Sequence, residues 1–166
     1  MTRWRRLIRH GFLTRRAVKR RFTPTVLDRI EAAVSAAEAS HCGEIEVVIE
    51  TDLHERAILS GQTARQRAIE VFSAARVWDT EANNGVLIYI LFADRAVEIV
   101  ADRGFNGLVT ADQWARVCRQ MEADFAQAAW EQGALAGVAG VAALIAAHFP
   151  EAGRAGNELP DRPTIL

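Results

Sequence analysis

The chain has 166 residues, half of them hydrophobic and a quarter charged, which suits one domain with a true core and excludes wholesale disorder. Two cysteines, Cys42 and Cys118, exclude a disulfide framework and a four-thiolate zinc site, and read as free thiols of a reducing compartment. The formal net charge of −1 hides an asymmetry: residues 1–21 carry nine basic side chains and no acid, while the remaining 11 basic and 21 acidic side chains give the rest a net charge of −10.

Residues 1–21 form a basic amphipathic arm. Trp4, Leu7, Ile8 and Phe12 recur at helical spacing with arginines between them. The arm lacks the apolar stretch and small-residue cleavage site of a secretory signal. Contact with an anionic membrane surface or a membrane-anchored protein partner is the leading expectation, through Trp4, Arg5, Arg6, Ile8, Arg9 and Phe12. Each basic residue near such a surface contributes about 1 kcal/mol. A solvated or self-docked arm is the second reading. Nucleic acid is the third, disfavoured because the acidic body repels phosphate.

The domain is expected over residues 22–149. Thr23-Pro24 or Thr25 opens a helix, with Asp28 at capping-box spacing from Thr25. Val26, Leu27, Ile30, Ala33, Val34 and Ala37 make its apolar stripe. In Glu44–Glu50 the residues Ile45, Val47 and Ile49 alternate with glutamates, which predicts a half-buried strand. A loop through Asp52 and His54 leads past Gly61 to a helix of about 15 residues. The apolar run 85–92 predicts a central strand covered on both faces. Ala93-Asp94 turns it into a third strand ending at Ala101, a hairpin. Thr110 and Gln113 have capping-box spacing and open another helix. The last helix, from Trp130 to Phe149, is dense in Ala and Gly and transfers weakly into lipid, so it reads as a buried helix packed closely on the sheet. Residues 150–166 read as an extended tail.

The order α-β-α-β-β-α-α gives an α/β class with a small mixed sheet of about three to four strands and about four helices. A crossover makes the first two strands parallel. Polar residues then fall at two ends of the sheet. Glu44, Asp79, Asn84 and Asp102 share the first end. Carboxylate and amide oxygens suit Ca²⁺ or Mg²⁺, and helix and turn capping is the alternative role for the same residues. The carboxyl ends of parallel strands are where ligands usually sit in open sheets, which keeps Asp52, His54 and Asp94 as a second candidate site. No nucleophile elbow, phosphate loop or zinc-ligand spacing is present, so no catalytic residue and no organic cofactor is assigned.

The run Asn84-Gly85-Val86-Leu87, then Asp94-Arg95, then Asp102-Arg103-Gly104-Phe105-Asn106-Gly107 resembles the TPM-domain family. Gly43-Glu44-Ile45-Glu46-Val47 is similar to the family's first strand. Phe125 and Trp130-Glu131-Gln132-Gly133 look like the segment before its last helix. The likeness spans roughly residues 26–147, and the family's Gly-Tyr-Gly turn reads Asp102-Arg103-Gly104-Phe105 here. The resemblance implies an α/β/α sandwich. It also implies divalent-metal binding and acid phosphatase activity, both ascribed to a family that includes a plant thylakoid-lumen protein, receptor-accessory proteins and membrane-anchored bacterial proteins. The combined expectation is a non-enzymatic, membrane-associated accessory or interaction domain with a divalent-cation site. A metal-dependent phosphatase using the same acids is the alternative. With no signal peptide or clear spanning helix, a cytoplasmic location is the expectation, and the basic arm adds peripheral contact with the inner membrane as an extension of it.

Overall fold

A computed structural model describes residues 3–12, 15–150 and 157–166, with a four-stranded sheet at its centre. Strands β1 (Glu44–Glu50), β2 (Gly85–Leu91) and β3 (Ala96–Ala101) lie where alternation and the apolar run place them. β1 runs parallel to β2, with Glu44 opposite Gly85 and Glu50 opposite Leu91. β2 and β3 form the antiparallel hairpin, with Arg95 in its turn at φ 52°. A fourth strand, β4 (Thr164–Ile165), joins the outer edge of β1 in parallel and gives the order β3-β2-β1-β4.

Seven helices among the described residues cover the sheet: α1 (Arg3–Phe12), α2 (Arg15–Arg21), α3 (Pro24–Glu38), α4 (Glu55–Ser60), α5 (Ala64–Ala74), α6 (Ala111–Ala126) and α7 (Trp130–Ala146). Side chains alternate across the strands, so each sheet face has its own core. Ile45, Val47, Ile49, Val86, Ile88 and Ile90 pack with Ile30, Met121, Phe125 and Val141 from α3, α6 and α7. Val48, Leu87, Tyr89 and Leu91 pack with Ile58, Ala68 and Val71 from α4 and α5. This is a mixed α/β fold with helices on both faces.

Helix starts follow local chemistry. Thr23 caps α3 by accepting from the Val26 amide, and Pro24 takes the first turn, where its missing N–H costs nothing. Asp28 does not form the spaced capping box; it pairs with Arg162 at 2.8 Å. Reciprocal capping boxes open α5 (Thr63 with Gln66) and α6 (Thr110 with Gln113). The segment after Asp52, expected as a loop, includes the short helix α4, closed by Gly61 at φ 84°.

The structure corrects two packing expectations. β1 is buried at all seven positions rather than half-buried. Its glutamates are covered by α5 and by residues 157–166, which return to the sheet rather than trailing away. The glycines of α7 meet α6 rather than the sheet. A Cβ at Gly133 would stand 2.7 Å from the Phe125 ring, and one at Gly137 would stand 2.3 Å from the Met121 sulfur. The expected start of the domain at residue 22 falls among core residues, because Val18 of α2 and Phe22 are both buried in the larger core.

Candidate functional site

The amino end of the parallel pair gathers three of the four residues expected to hold a cation. The Glu44 amide donates to the Asn84 carbonyl at 3.3 Å, and the Asp102 amide donates to the Gly85 carbonyl at 2.9 Å, so Glu44, Asn84 and Asp102 share one rim. Close backbone approach fixes this rim. A Cβ at Gly85 would stand 2.0 Å from the Val77 carbonyl oxygen, and one at Gly104 would stand 2.4 Å from that of Asn83. Those two glycines of the recurring run are therefore packing requirements.

The four side chains differ in what they do. Glu44 is buried and accepts from the amides of Glu158 (3.3 Å) and Leu159 (3.2 Å), which pins the returning segment. Asp79 lies at the surface in an ion pair with Arg76. Asn84 is buried and donates through its side-chain amide to the Cys42 carbonyl, but its Oδ1 has no partner. Asp102 accepts from the Arg103 amide at 2.7 Å through Oδ1, while its buried Oδ2 has none. Two buried oxygens that face no donor carry an unmet demand for positive charge or a proton donor. Asn84 and Asp102 therefore fit a hard cation bound by oxygen, with Glu44 and Asp79 committed elsewhere. Among the described residues no three His, Cys, Asp or Glu side chains converge as a ready metal cluster.

At the opposite end of the sheet, Asp94 is the residue engaged by several intramolecular partners. Asp94, in the hairpin turn, accepts from Arg6 Nε at 2.7 Å and lies 3.1 Å from His10 Nε2. His10 is 3% exposed, and its Nδ1 accepts from the Leu53 amide at 2.9 Å. That bond leaves Nε2 to carry the proton toward Asp94. Arg9 adds bonds to the Ala93 carbonyl and to Asp94 at 3.7 Å. Burial pushes the Asp94 carboxyl up, but the His10 and Arg6 hydrogen bonds outweigh it and hold the group below its usual range. Asp52 sits within reach of His10, Glu50 and Arg15, and burial raises it. His54 caps α4 by accepting from the Arg56 amide at 3.3 Å and does not join Asp94.

Of the arm residues expected to meet a membrane or partner, Arg6 and Arg9 thus face inward, while Trp4 and Ile8 are 74% and 57% exposed. The side chains of Arg5 and Phe12 lie outside the described set. No helix of the described residues is long and apolar enough to cross a membrane.

Sequence reasoning missed the most heavily bonded group at the carboxyl end. Glu50, at the end of β1, takes paired bonds from Arg67 (Nε to Oε2 and Nη2 to Oε1, both 2.9 Å) and accepts from the Tyr89 hydroxyl. Burial and the Glu50 carboxylate together push the Tyr89 hydroxyl far up, so it stays a donor. Glu46 was missed as well. It is buried, accepts from Thr164 Oγ1 at 3.2 Å, and burial raises its carboxyl to about 7. Alternation of three glutamates with aliphatic residues predicts a solvent face on this strand, and the structure buries that face instead. Cys118 is half-buried with its thiol pushed up to about 11 by burial, which suits an inert free thiol.

Comparison with known proteins agrees with the architecture. The chain is similar to the BA42 protein of the psychrophilic bacterium Bizionia argentinensis, at 28% identity and a TM-score of 0.75 over 87% of this chain and 94% of that one. It shares its fold with the N-terminal domain of cg2496 from Corynebacterium glutamicum (16% identity, TM-score 0.56, 82% and 80% covered). The same holds for the N-terminal domain of a P. gingivalis protein (15%, 0.62, 80% and 82%). None of the curated proteins matches the sequence. The model of the TPM domain matches residues 19–144, well over half of the chain, and this protein belongs to the TPM-domain family.

Proposed function

We propose that this chain is a non-enzymatic accessory domain that works at an anionic membrane surface, with α1 as its contact element. The orientation of α1 carries the reading. Arg6, Arg9 and His10 hold the helix flat against Asp94, and Trp4 and Ile8, one turn apart, project from the opposite side. A docked helix that keeps Trp and Ile in water presents the residues that an interface would bury, each contributing about 1.5–3 kcal/mol. Co-sedimentation of the full chain with phosphatidylglycerol–phosphatidylcholine vesicles tests this. Wild type is expected to bind, and Trp4→Ala/Ile8→Ala to bind at least tenfold more weakly. Equal binding by the variant, or none by wild type, overturns the reading.

The unpartnered oxygens of Asn84 and Asp102 support a divalent-cation site at the amino-end rim as a second component. Calorimetric titration with Ca²⁺ and Mg²⁺ should give saturable binding that Asp102→Asn abolishes. Binding unchanged in the variant, or absent in wild type, removes the site. Metal-dependent hydrolysis of a phosphomonoester, lost in the same variant, would replace the non-enzymatic reading with a phosphatase.

A further inference from the structure

We propose that the surface beside α1 is a binding groove for a single anionic phospholipid, with a headgroup end and an acyl-chain end; this rests on the membrane-surface reading above. A hollow of about 980 Å³ opens between α1, α2 and the carboxyl end of β2. Its floor is aromatic: Phe92 stacks on Trp130 at 4.3 Å between ring centroids, and Trp130 stacks in turn on Phe125 at 4.7 Å. Its rim carries Arg20, Arg21 and Arg95 together with Arg9, which is shared with Asp94, and no carboxylate of the described residues lines it.

A second hollow of about 820 Å³ continues from the first, sharing Arg20, Arg21, Ala128 and Trp130. It runs along α7 over Val26, Leu135, Ala136 and Ala139. The carboxylate on that stretch, Glu131, is paired with Arg29 at 2.6 Å. The two hollows therefore form one trough that is cationic at one end and aliphatic along the other.

That polarity matches a phosphate diester joined to an acyl chain. Guanidinium groups suit phosphate oxygens, and the aliphatic floor suits methylenes. Ile8 lines the cationic hollow and also belongs to the exposed face of α1, so the trough opens on the surface proposed to meet the bilayer.

The test titrates the full chain with dihexanoyl-phosphatidylglycerol below its micelle concentration, followed by amide chemical shifts. Glycerol phosphate, dihexanoyl-phosphatidylcholine and a synthetic acidic amphipathic peptide serve as competing probes. Saturable shifts at Arg20, Arg21, Trp130 and Leu135 are expected, with glycerol phosphate and the choline lipid at least tenfold weaker. Arg20→Ala/Arg21→Ala, and Ala139→Trp placed at an exposed position to fill the trough, should each weaken phosphatidylglycerol at least tenfold without changing the melting temperature. Unchanged affinity in Ala139→Trp, or tighter binding of the peptide, overturns the groove. If vesicle binding through Trp4 and Ile8 persists in that case, the membrane reading stands alone. Loss of both overturns both.

Discussion

Glu46 shows at the scale of one residue what the amino-acid pattern could and could not convey. Alternation correctly identified a strand but assigned its glutamates to water, because the covering segment lies more than a hundred positions away. In the folded chain the Glu46 carboxyl is buried against Thr164 and raised to about 7 by that burial. The folded state therefore holds its proton more tightly than the unfolded state does. Its stabilising effect is complete below the unfolded value and is lost as pH rises through about 7. Glu46→Gln keeps an acceptor for Thr164 and removes the charge. It is expected to raise stability at pH 8 by about 1–3 kcal/mol and to flatten the decline between pH 5 and 8, read from urea denaturation at several pH values. The rim acids were legible as a group because their strand ends are set by local turns. Which oxygens stay unpartnered was not, since Glu44 is engaged by a segment distant in the chain. Gly85→Ala should cost about 3 kcal/mol in the same measurement, because the atom it meets is the Val77 carbonyl oxygen, backbone that cannot rotate aside.

At the scale of elements, α1 is the most informative. Its amphipathic pattern was visible, but the pattern could not say which face turns inward. The apolar pair Trp4 and Ile8 faces water, while Arg6, Arg9 and His10 converge on Asp94. A half-buried carboxylate with several donors outweighs two aliphatic or aromatic contacts in setting the docking face. Asp94→Asn should destabilise the docked helix by about 2 kcal/mol and speed tryptic cleavage within residues 3–21, with β1–β3 unaffected by hydrogen exchange. Acid should act in the same direction: the lowered Asp94 contributes stability above its unfolded value that is lost as pH falls through its folded one. The small-residue pattern of α7 likewise predicted close packing but not its partner, because a glycine stripe fits a neighbouring helix as well as it fits a sheet.

On the scale of the whole molecule, strands β1–β3 and helices α3, α5, α6 and α7 were legible because each carries its own apolar pattern, with side-chain caps marking the starts of α3, α5 and α6. β4 was not, since Thr164 and Ile165 follow Pro163 with no alternation of their own and gain strand geometry only from Val48 and Ile49. That brief pairing has a consequence for association between molecules. β1 is a seven-residue strand buried along its whole length, and among the described residues its outer edge pairs with β4 at only two register positions. When residues 157–166 lift, the N–H and C=O groups along that edge become a template on which a second chain can lay a strand. Ionisation of Glu46 favours the lifting, because it brings the charge into water. A chain lacking residues 157–166 is expected to elute as concentration-dependent oligomers in size-exclusion chromatography while the full chain holds one species. In this view the returning segment acts as a gatekeeper against strand exchange between neighbours, and the fold's resistance to self-assembly depends on ten residues at the far end of the chain.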